Sequence, residues 1–218
     1  MIKAIIFDLD GTLLDTSHDI CEVLNGCMKK YGLPEISYED TLKFVGNGAK
    51  KLVERALGKQ YYYLFDKVYP EYAKDFADCS NDKTFLYDGE ERALLNFKNR
   101  GIKLALLSNK PHDATVNVYE KYLKKFEFAV VAGNTEKFPL KPDPTYALSI
   151  IERLGVLKEE CIFVGDGETD VQTAQNAGIR CISCLWGFRS EKQLLAAGAK
   201  CLVKNFAELE QIVENKNY

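Results

Sequence analysis

Acidic side chains follow two apolar segments of the chain. The stretch IIFDLDGT (residues 5–12) ends an apolar run with Asp8 and Asp10, and the run CIFV is followed by Asp166 and Asp170. Carboxylates are seldom buried unless they are paired or bound to a metal. Carboxylates brought together repel one another, and a divalent cation relieves that repulsion. A few hard oxygen ligands suit Mg²⁺, so the pattern predicts a magnesium site.

Residues that could hold a phosphate occur at comparable places. Ser108 and Asn109 follow the apolar run IKLALL, and Lys141 precedes a predicted helix. The lysine, the serine hydroxyl and the loop N–H groups around Gly11 and Asn109 are suitable partners for a phosphate. A neutralised phosphate could be attacked by one carboxylate, while a second acid protonates the leaving oxygen and then activates water. The residue types therefore indicate phosphoryl chemistry.

The order of predicted elements explains how these residues could meet. A strand is predicted over residues 2–8, and strands alternate with helices from residue 82 onwards. This alternation predicts an α/β fold, a doubly wound, Rossmann-like parallel sheet. Ligands bind at the carboxyl ends of such strands. Segment 16–81 contains helical patterns only, so we expect a helical cap domain inserted into a core of residues 1–15 and 82–218.

Composition limits the classes of partner. The chain has 218 residues, is 46% hydrophobic and 28% charged, and carries a net charge of −3. No basic stripe indicates nucleic acid, and no apolar run approaches the ~18 residues of a membrane span. The first apolar stretch is too short for a signal peptide, and seven scattered cysteines are typical of reduced thiols. Cys181 and Cys184 are predicted to pack on opposite faces of a strand. We expect a cytoplasmic monomer or homodimer.

Four motifs resemble those of the haloacid dehalogenase superfamily. They are Asp8-Leu-Asp10-Gly-Thr12, Ser108 after an apolar strand, Lys141, and Gly165-Asp166-xxx-Asp170. Their order and spacing agree over residues 5–170. The resemblance implies the family's α/β fold, a small helical cap and Mg²⁺ as the cofactor.

The resemblance also implies a role for each site residue. Asp8 would be the nucleophile, Asp10 the general acid/base, and Lys141 would steady the nucleophile and the transferring phosphoryl group. Phosphate oxygens would be held by Gly11, Thr12, Ser108 and Asn109. The metal would be bound by Asp8, the Asp10 backbone carbonyl, Asp166 and Asp170. Gly167 departs from the Ser or Thr that many members have there, which we expect to alter hydrogen bonding around the metal ligands.

Finer features are similar to those of phosphoglycolate phosphatases. These are Ser108-Asn-Lys-Pro111, Lys141-Pro-Asp-Pro144 and Trp186-Gly-Phe. The acid at Asp10 favours phosphoryl transfer from oxygen over dehalogenation, and the expected substrate is a small phosphorylated metabolite, first 2-phosphoglycolate. A pyrophosphatase, a nucleotidase, a β-phosphoglucomutase-like mutase and a non-catalytic phosphate-responsive binding module remain alternatives.

The predicted cap contains a glycine-rich loop before a helix. Gly46, Asn47 and Gly48 precede Lys50 and Lys51. Free N–H groups at a helix start favour anions, so Gly46, Asn47 and Lys50 could recognise a substrate carboxylate. An ordinary helix start with two solvated lysines is the alternative. Lys110 is interpreted either as a polar residue before a helix or as a contact on the phosphate side.

Overall fold

The strands are short and mostly buried. The computed structural model describes residues 1–215. Within them the strands are β1 (Ala4–Phe7), β2 (Leu14–Asp15), β3 (Phe85–Leu86), β4 (Lys103–Pro111), β5 (Val130–Asn134), β6 (Cys161–Gly165), β7 (Arg180–Cys184) and β8 (Leu202–Val203). Six of them form a parallel sheet in the order β5-β4-β1-β6-β7-β8.

Helices occupy most of the connections between strands. The α-helices of the described chain are α1 (Ser17–Lys30), α2 (Tyr38–Phe44), α3 (Ala49–Tyr61), α4 (Phe65–Ala77), α5 (Glu90–Asn99), α6 (His112–Val118), α7 (Thr145–Leu154), α8 (Glu168–Ala177), α9 (Glu191–Ala196) and α10 (Phe206–Glu214). None of these helices combines the length and the apolar character needed to cross a membrane.

The sheet carries a hydrophobic core on each face. Successive side chains of a strand point to opposite faces, so Ile5 and Phe7 join one cluster with residues of α5 and α10. Ala4 and Ile6 join the other cluster with residues of α7 and α8. Helices thus cover both faces, which confirms the predicted doubly wound α/β fold.

Strand register brings three chain segments to one edge of the sheet. Phe7, the last residue of β1, pairs with Leu106 of β4 on one side and with Val164 of β6 on the other. Asp8 and Asp166 follow within two residues of these pairs, and Ser108 lies two residues beyond Leu106. The polar residues therefore lie together at the carboxyl ends of adjacent parallel strands, as expected.

Helices α1–α4 build a hydrophobic cluster of their own. Leu24, Leu52, Val68, Tyr72 and Phe76 are among its buried members. Apolar side chains at helical spacing thus face one another across the four helices. The division into a core of residues 1–15 and 82–218 and a cap of residues 16–81 stays a prediction.

A two-stranded antiparallel ribbon connects this helical block to the sheet. Leu14 pairs with Leu86, and Asp15 pairs with Phe85. Strand β3 is not apparent from the sequence pattern, and α5 begins only at Glu90. Two-residue strands show no periodicity, so a pattern-based reading cannot detect them.

The cysteines are separate thiols. All seven are free. Cys184 packs in the cluster on one face of the sheet, and Cys181 packs against the cluster on the other face. This confirms the interpretation of Cys181 and Cys184 as packing residues on a strand.

Candidate active site

Three carboxylates meet beyond the ends of β1 and β6. Asp8, Asp166 and Asp170 are buried, and one carboxylate oxygen from each lies within 4.8 Å of the others. Asp8 directly follows β1, Asp166 directly follows β6, and Asp170 lies in the first turn of α8. The turn that precedes α8 folds back so that the Gly167 N–H donates to Asp170 Oδ2 at 2.9 Å. The sequence correctly grouped these three residues.

One lysine joins two of these carboxylates. Lys141 Nζ lies 2.8 Å from Asp8 Oδ1 and 2.7 Å from Asp170 Oδ1. The Asn109 side chain fixes the Lys141 backbone, since its Nδ2 donates to Lys141 O at 3.0 Å and its Oδ1 accepts from Lys141 N at 2.8 Å. Asn109 therefore uses its side chain to position the lysine, and a phosphate contact from the Asn109 backbone N–H stays a prediction.

The charges of this cluster are unbalanced. Burial raises the pKa of Asp8 to about 8; Lys141 opposes this shift, and Asp170 and Asp166 add to it. Burial, and then Asp170, raise the pKa of Asp166 to about 7. Burial alone would lower the pKa of Lys141, but Asp170 and Asp8 raise it above its ordinary value. Three hard oxygen donors with surplus negative charge fit a divalent cation.

Asp166 is held from two directions. Thr12 Oγ1 donates to Asp166 Oδ1 at 3.1 Å, and the Phe188 N–H donates to Asp166 Oδ2 at 2.7 Å. Thr12 is fully buried, and its hydroxyl orients a carboxylate. The phosphate contact predicted for Thr12 stays a prediction.

Gly11 has a steric role. Its φ is +88°, and a Cβ there would lie 2.4 Å from Asp166 Oδ2. Only glycine allows this approach of the backbone to a carboxylate. The Gly11 N–H donates to Leu14 O at 2.8 Å. That N–H is thus engaged within the loop, and the phosphate contact predicted for the N–H groups around Gly11 stays a prediction.

Asp10 stands apart from the three-carboxylate cluster. Its Oδ1 accepts hydrogen bonds from Thr16 Oγ1 at 2.6 Å and from Lys110 Nζ at 3.0 Å. The Lys110 ammonium also lies 4.2 Å from the centre of the Phe76 ring on α4. The sequence analysis left Lys110 undecided, and its position beside Ser108 and Asn109 at a strand end was the available signal. The metal contact predicted for the Asp10 backbone carbonyl stays a prediction.

A small cavity separates these groups from the helical block. Its volume is about 40 Å³, which is room for about three water-sized groups. Asp8, Asp10 and Ser108 line one side. The other side is mainly apolar, formed by Ile20, Val45, Gly46, Gly48, Ala49, Leu52, Tyr72 and Phe76. Among the described residues that line it, Lys110 is the one cationic side chain.

The predicted recognition residues of the cap are only partly at this cavity. Gly46 and Gly48 line it. Asn47 instead accepts a hydrogen bond from Arg55 at 2.7 Å. Lys50 is exposed, with its ammonium 5.7 Å from the centre of the Tyr69 ring. Neither Asn47 nor Lys50 lines the cavity in this structure, and their part in recognising the substrate stays a prediction.

Comparison with known proteins agrees with this geometry. Residues 5–184 match the family model described as haloacid dehalogenase-like hydrolase. A phosphoglycolate phosphatase from Aliivibrio fischeri is 31% identical over 195 residues, which is 86% of either chain. A crystal structure from Lactobacillus delbrueckii, provisionally named phosphoglycolate phosphatase, superposes with a TM-score of 0.89 at 30% identity over 97% of this chain and 98% of that one. A Thermotoga maritima structure provisionally named β-phosphoglucomutase gives 0.70 at 29% identity over 98% and 99%.

The chain therefore belongs to the haloacid dehalogenase-like hydrolases. Within that class it is an enzyme similar to proteins named phosphoglycolate phosphatase. The family predicted from the four motifs is confirmed.

We expect Mg²⁺ to stabilise the protein more at pH 8.5 than at pH 5.5. Because the pKa values of Asp8 and Asp166 in the folded protein are about 8 and about 7, the folded state holds protons that the unfolded state has released. Their contribution to stability is present at acid pH and is lost as the pH rises through 7 to 8. A cation then replaces the protons.

Thermal unfolding with Mg²⁺ and with chelator, at both pH values, measures this effect. Asp166→Asn removes one ligand and should reduce the difference between the two pH values. An equal increase in unfolding temperature at pH 5.5 and 8.5 would contradict a metal site built on these carboxylates.

Proposed function

We propose that this protein is a Mg²⁺-dependent phosphatase for a small phosphomonoester that carries a second anionic group, most readily 2-phosphoglycolate. The observation that carries the proposal is the small cavity, which has Asp8 and Asp10 on one wall and the buried ammonium of Lys110 beside them. Such a site suits an enzyme of small-metabolite chemistry, and we propose that it acts in the cytoplasm.

The proposed mechanism has two displacement steps. An Asp8 carboxylate oxygen attacks phosphorus, the new O–P bond forms, and the bond from phosphorus to the leaving oxygen breaks as Asp10 gives that oxygen its proton. Asp10 then takes a proton from water, whose oxygen attacks the aspartyl-phosphate and releases inorganic phosphate and free Asp8. Ser108, whose hydroxyl lines the cavity, is placed to hold a phosphate oxygen.

The metal and Lys141 would balance charge during these steps. Asp8, Asp166 and Asp170 would hold Mg²⁺, which supplies positive charge against the phosphate oxygens when bound. Lys141, 2.8 Å from Asp8, favours the ionised form of that carboxyl group and orients it. Since burial by itself favours protonated Asp8, a nucleophile at neutral pH needs both of these positive charges.

The position of Lys110 gives a reason why the substrate should carry a second anionic group. In the present conformation its ammonium pairs with Asp10 and so occupies the carboxyl group that must transfer the proton. A carboxylate on the leaving group would compete for Lys110 and release Asp10 for proton transfer. Substrate binding would thereby prepare the general acid, and phosphomonoesters without a second anion would be poorer substrates.

The size of the cavity favours some of the alternative substrates over others. Around a cavity of about 40 Å³, a leaving group of a few atoms needs less opening of the cap than a nucleoside or a hexose does. This argues against the nucleotidase and β-phosphoglucomutase-like readings. Pyrophosphate, whose second phosphate could occupy the Lys110 side, is the second candidate substrate. A non-catalytic module would bind phosphate without turnover.

Phosphate release from a panel of substrates tests the proposal. The panel contains 2-phosphoglycolate, pyrophosphate, a nucleoside monophosphate, glucose 1-phosphate and 4-nitrophenyl phosphate, each with Mg²⁺ and with chelator. We expect Mg²⁺-dependent release with 2-phosphoglycolate preferred. A preference for pyrophosphate would change the substrate, interconversion of glucose phosphates would indicate a mutase, and no release from folded protein would refute a phosphatase.

Lys110→Met should selectively weaken catalysis on anionic leaving groups. Loss of a hydrogen bond to a charged group costs about 1.5–3 kcal/mol, so kcat/KM for 2-phosphoglycolate should fall roughly 10- to 100-fold. The value for 4-nitrophenyl phosphate should fall much less. Lys59→Met, at an exposed position on α3, is the matched control and should change neither. Equal losses on both substrates would contradict a role for Lys110 in substrate choice.

A further inference from the structure

The loop after β7 contacts both the metal ligands and the helical block. It comprises residues 185–190, and three of its residues make the relevant contacts. Trp186 Nε1 donates to Thr12 O at 3.0 Å, and the Phe188 N–H donates to Asp166 Oδ2 at 2.7 Å. The next residue, Arg189, is directed into the helical block.

All three nitrogens of the Arg189 guanidinium group donate hydrogen bonds, and two of them bind the end of helix α2. Nη1 donates to Leu42 O at 2.8 Å, and Nη2 donates to Val45 O at 2.6 Å. Nε donates to Glu168 Oε2 on α8 at 2.9 Å. The last carbonyls of a helix lack partners within it, and a cation is favourable at that end. A side chain of the sheet domain thus satisfies carbonyls of the helical block.

The segment that Arg189 binds, which ends at Val45, continues directly into the wall of the cavity. Val45 and Gly46 line the cavity, and Asn109 Nδ2 donates to Gly46 O at 3.0 Å. Gly46 has a φ of +109°, and a Cβ there would lie 3.3 Å from Arg189 Nη2. Phe188 also packs against the hydrophobic cluster of α1–α4.

The middle of the loop packs tightly against Asp166. A Cβ at Gly187 would lie 2.3 Å from Asp166 Cβ, so the backbone here rests directly on the metal-binding carboxylate. The contact with Asp166 and the contact with the cap are therefore made by adjacent residues, Phe188 and Arg189. Because this region is closely packed, we expect a displacement of either contact to displace the other.

We infer that Arg189 is a positioning residue that latches the cap over the active site, with the Gly187-Phe188 backbone tying the latch to Asp166. When Arg189 is seated, the segment 45–48 closes the cavity against Ser108 and Lys110. When it is released, that segment lifts and the cavity opens. This inference deepens the proposed function, because it names the residue that confines the site to small leaving groups.

Amide hydrogen exchange tests the latch without metal or substrate. In Arg189→Met the methionine keeps much of the side-chain length and loses the donors, so we expect exchange to become about tenfold faster or more in segment 38–48. Exchange should rise at residues 108–111 as well, because the lifted cap uncovers them. Arg189→Lys, which retains one cationic donor group, should give an intermediate effect.

Two control variants distinguish a latch from ordinary stabilisation. Arg55→Met removes a donor to Phe44 O at 2.8 Å from within the helical block, and it should speed exchange only in segment 38–48. Arg92→Met removes an ion pair with Glu210 at 2.8 Å, far from the cap, and should affect neither segment. If Arg189→Met resembled Arg55→Met and left residues 108–111 protected, the latch would be refuted.

Kinetics provide a second readout that depends on the proposed function. In Arg189→Met we expect KM for 2-phosphoglycolate to rise about tenfold, while 4-nitrophenyl phosphate, whose leaving group needs an open cap, loses far less. Equal losses in kcat/KM on both substrates would overturn the latch. If the wild-type protein released no phosphate at all, the proposed function would fail, and hydrogen exchange alone would decide the latch.

Discussion

Asp8→Asn should reduce kcat for phosphate release by at least about 10⁴-fold, since an amide keeps the shape of the side chain but cannot act as the nucleophile. The protein should remain folded. Because burial raises the pKa of Asp8 to about 8, its charged form is costly when no cation is present, and removing it should raise the unfolding temperature at pH 8.5 in chelator. Single-turnover assays and thermal unfolding measure the two effects.

A matched variant separates loss of the nucleophile from loss of a negative charge. Asp113→Asn makes the same chemical change at an exposed position on α6, and its activity should equal that of the wild type. Denaturing electrophoresis or mass spectrometry of quenched reactions should detect phosphorylated wild-type protein and none of the Asp8 variant. Substantial turnover by Asp8→Asn would reject Asp8 as the nucleophile.

Lys141→Met should both inactivate and destabilise the protein. The lysine faces Asp8 and Asp170 at 2.8 and 2.7 Å in a buried site, and removing one partner of a buried ion pair costs about 3–5 kcal/mol in the free energy of unfolding. The cost should be greater at pH 8.5 than at pH 5.5, because Asp8, whose pKa is about 8, is protonated in the folded state at the lower pH.

Urea unfolding in chelator at the two pH values measures this cost. Lys3→Met removes an exposed ion pair with Glu160, and it should cost less than about 1 kcal/mol. Mg²⁺ should restore part of the stability of Lys141→Met without restoring activity, since a cation can replace the charge but cannot place it beside the nucleophile. A pH-independent loss of stability would contradict the charge balance assigned to Lys141.

The features that sequence could predict are those fixed by local pattern. Apolar runs followed at once by polar residues predict where strands end, and parallel pairing then brings Asp8, Asp166 and Asp170 together without knowledge of the cap. Lys141 was identified by its residue type and its place before a helix. The sheet order itself was not assigned, since several strand orders fit the same alternation of elements.

The features that sequence could not predict depend on how the helical block is oriented over the sheet. Lys110 is buried because Phe76 of α4 covers it, and Lys50 is exposed because α3 turns it outward. Both are lysines next to polar motifs, so their types do not distinguish them. The contact of Arg189 with Leu42 and Val45 spans more than 140 residues of chain, and nothing local to Arg189 signals it.

The paired strands β2 and β3 have a consequence for how such enzymes diversify. Since Leu14 lies opposite Leu86 and Asp15 opposite Phe85, the chain leaves and re-enters the sheet domain at neighbouring points. The backbone at this junction therefore makes no demand on the length or fold of what lies between. An insert could be shortened, exchanged or grafted from a relative at this junction, and substrate range could evolve as an exchangeable module while the chemistry below stays unchanged.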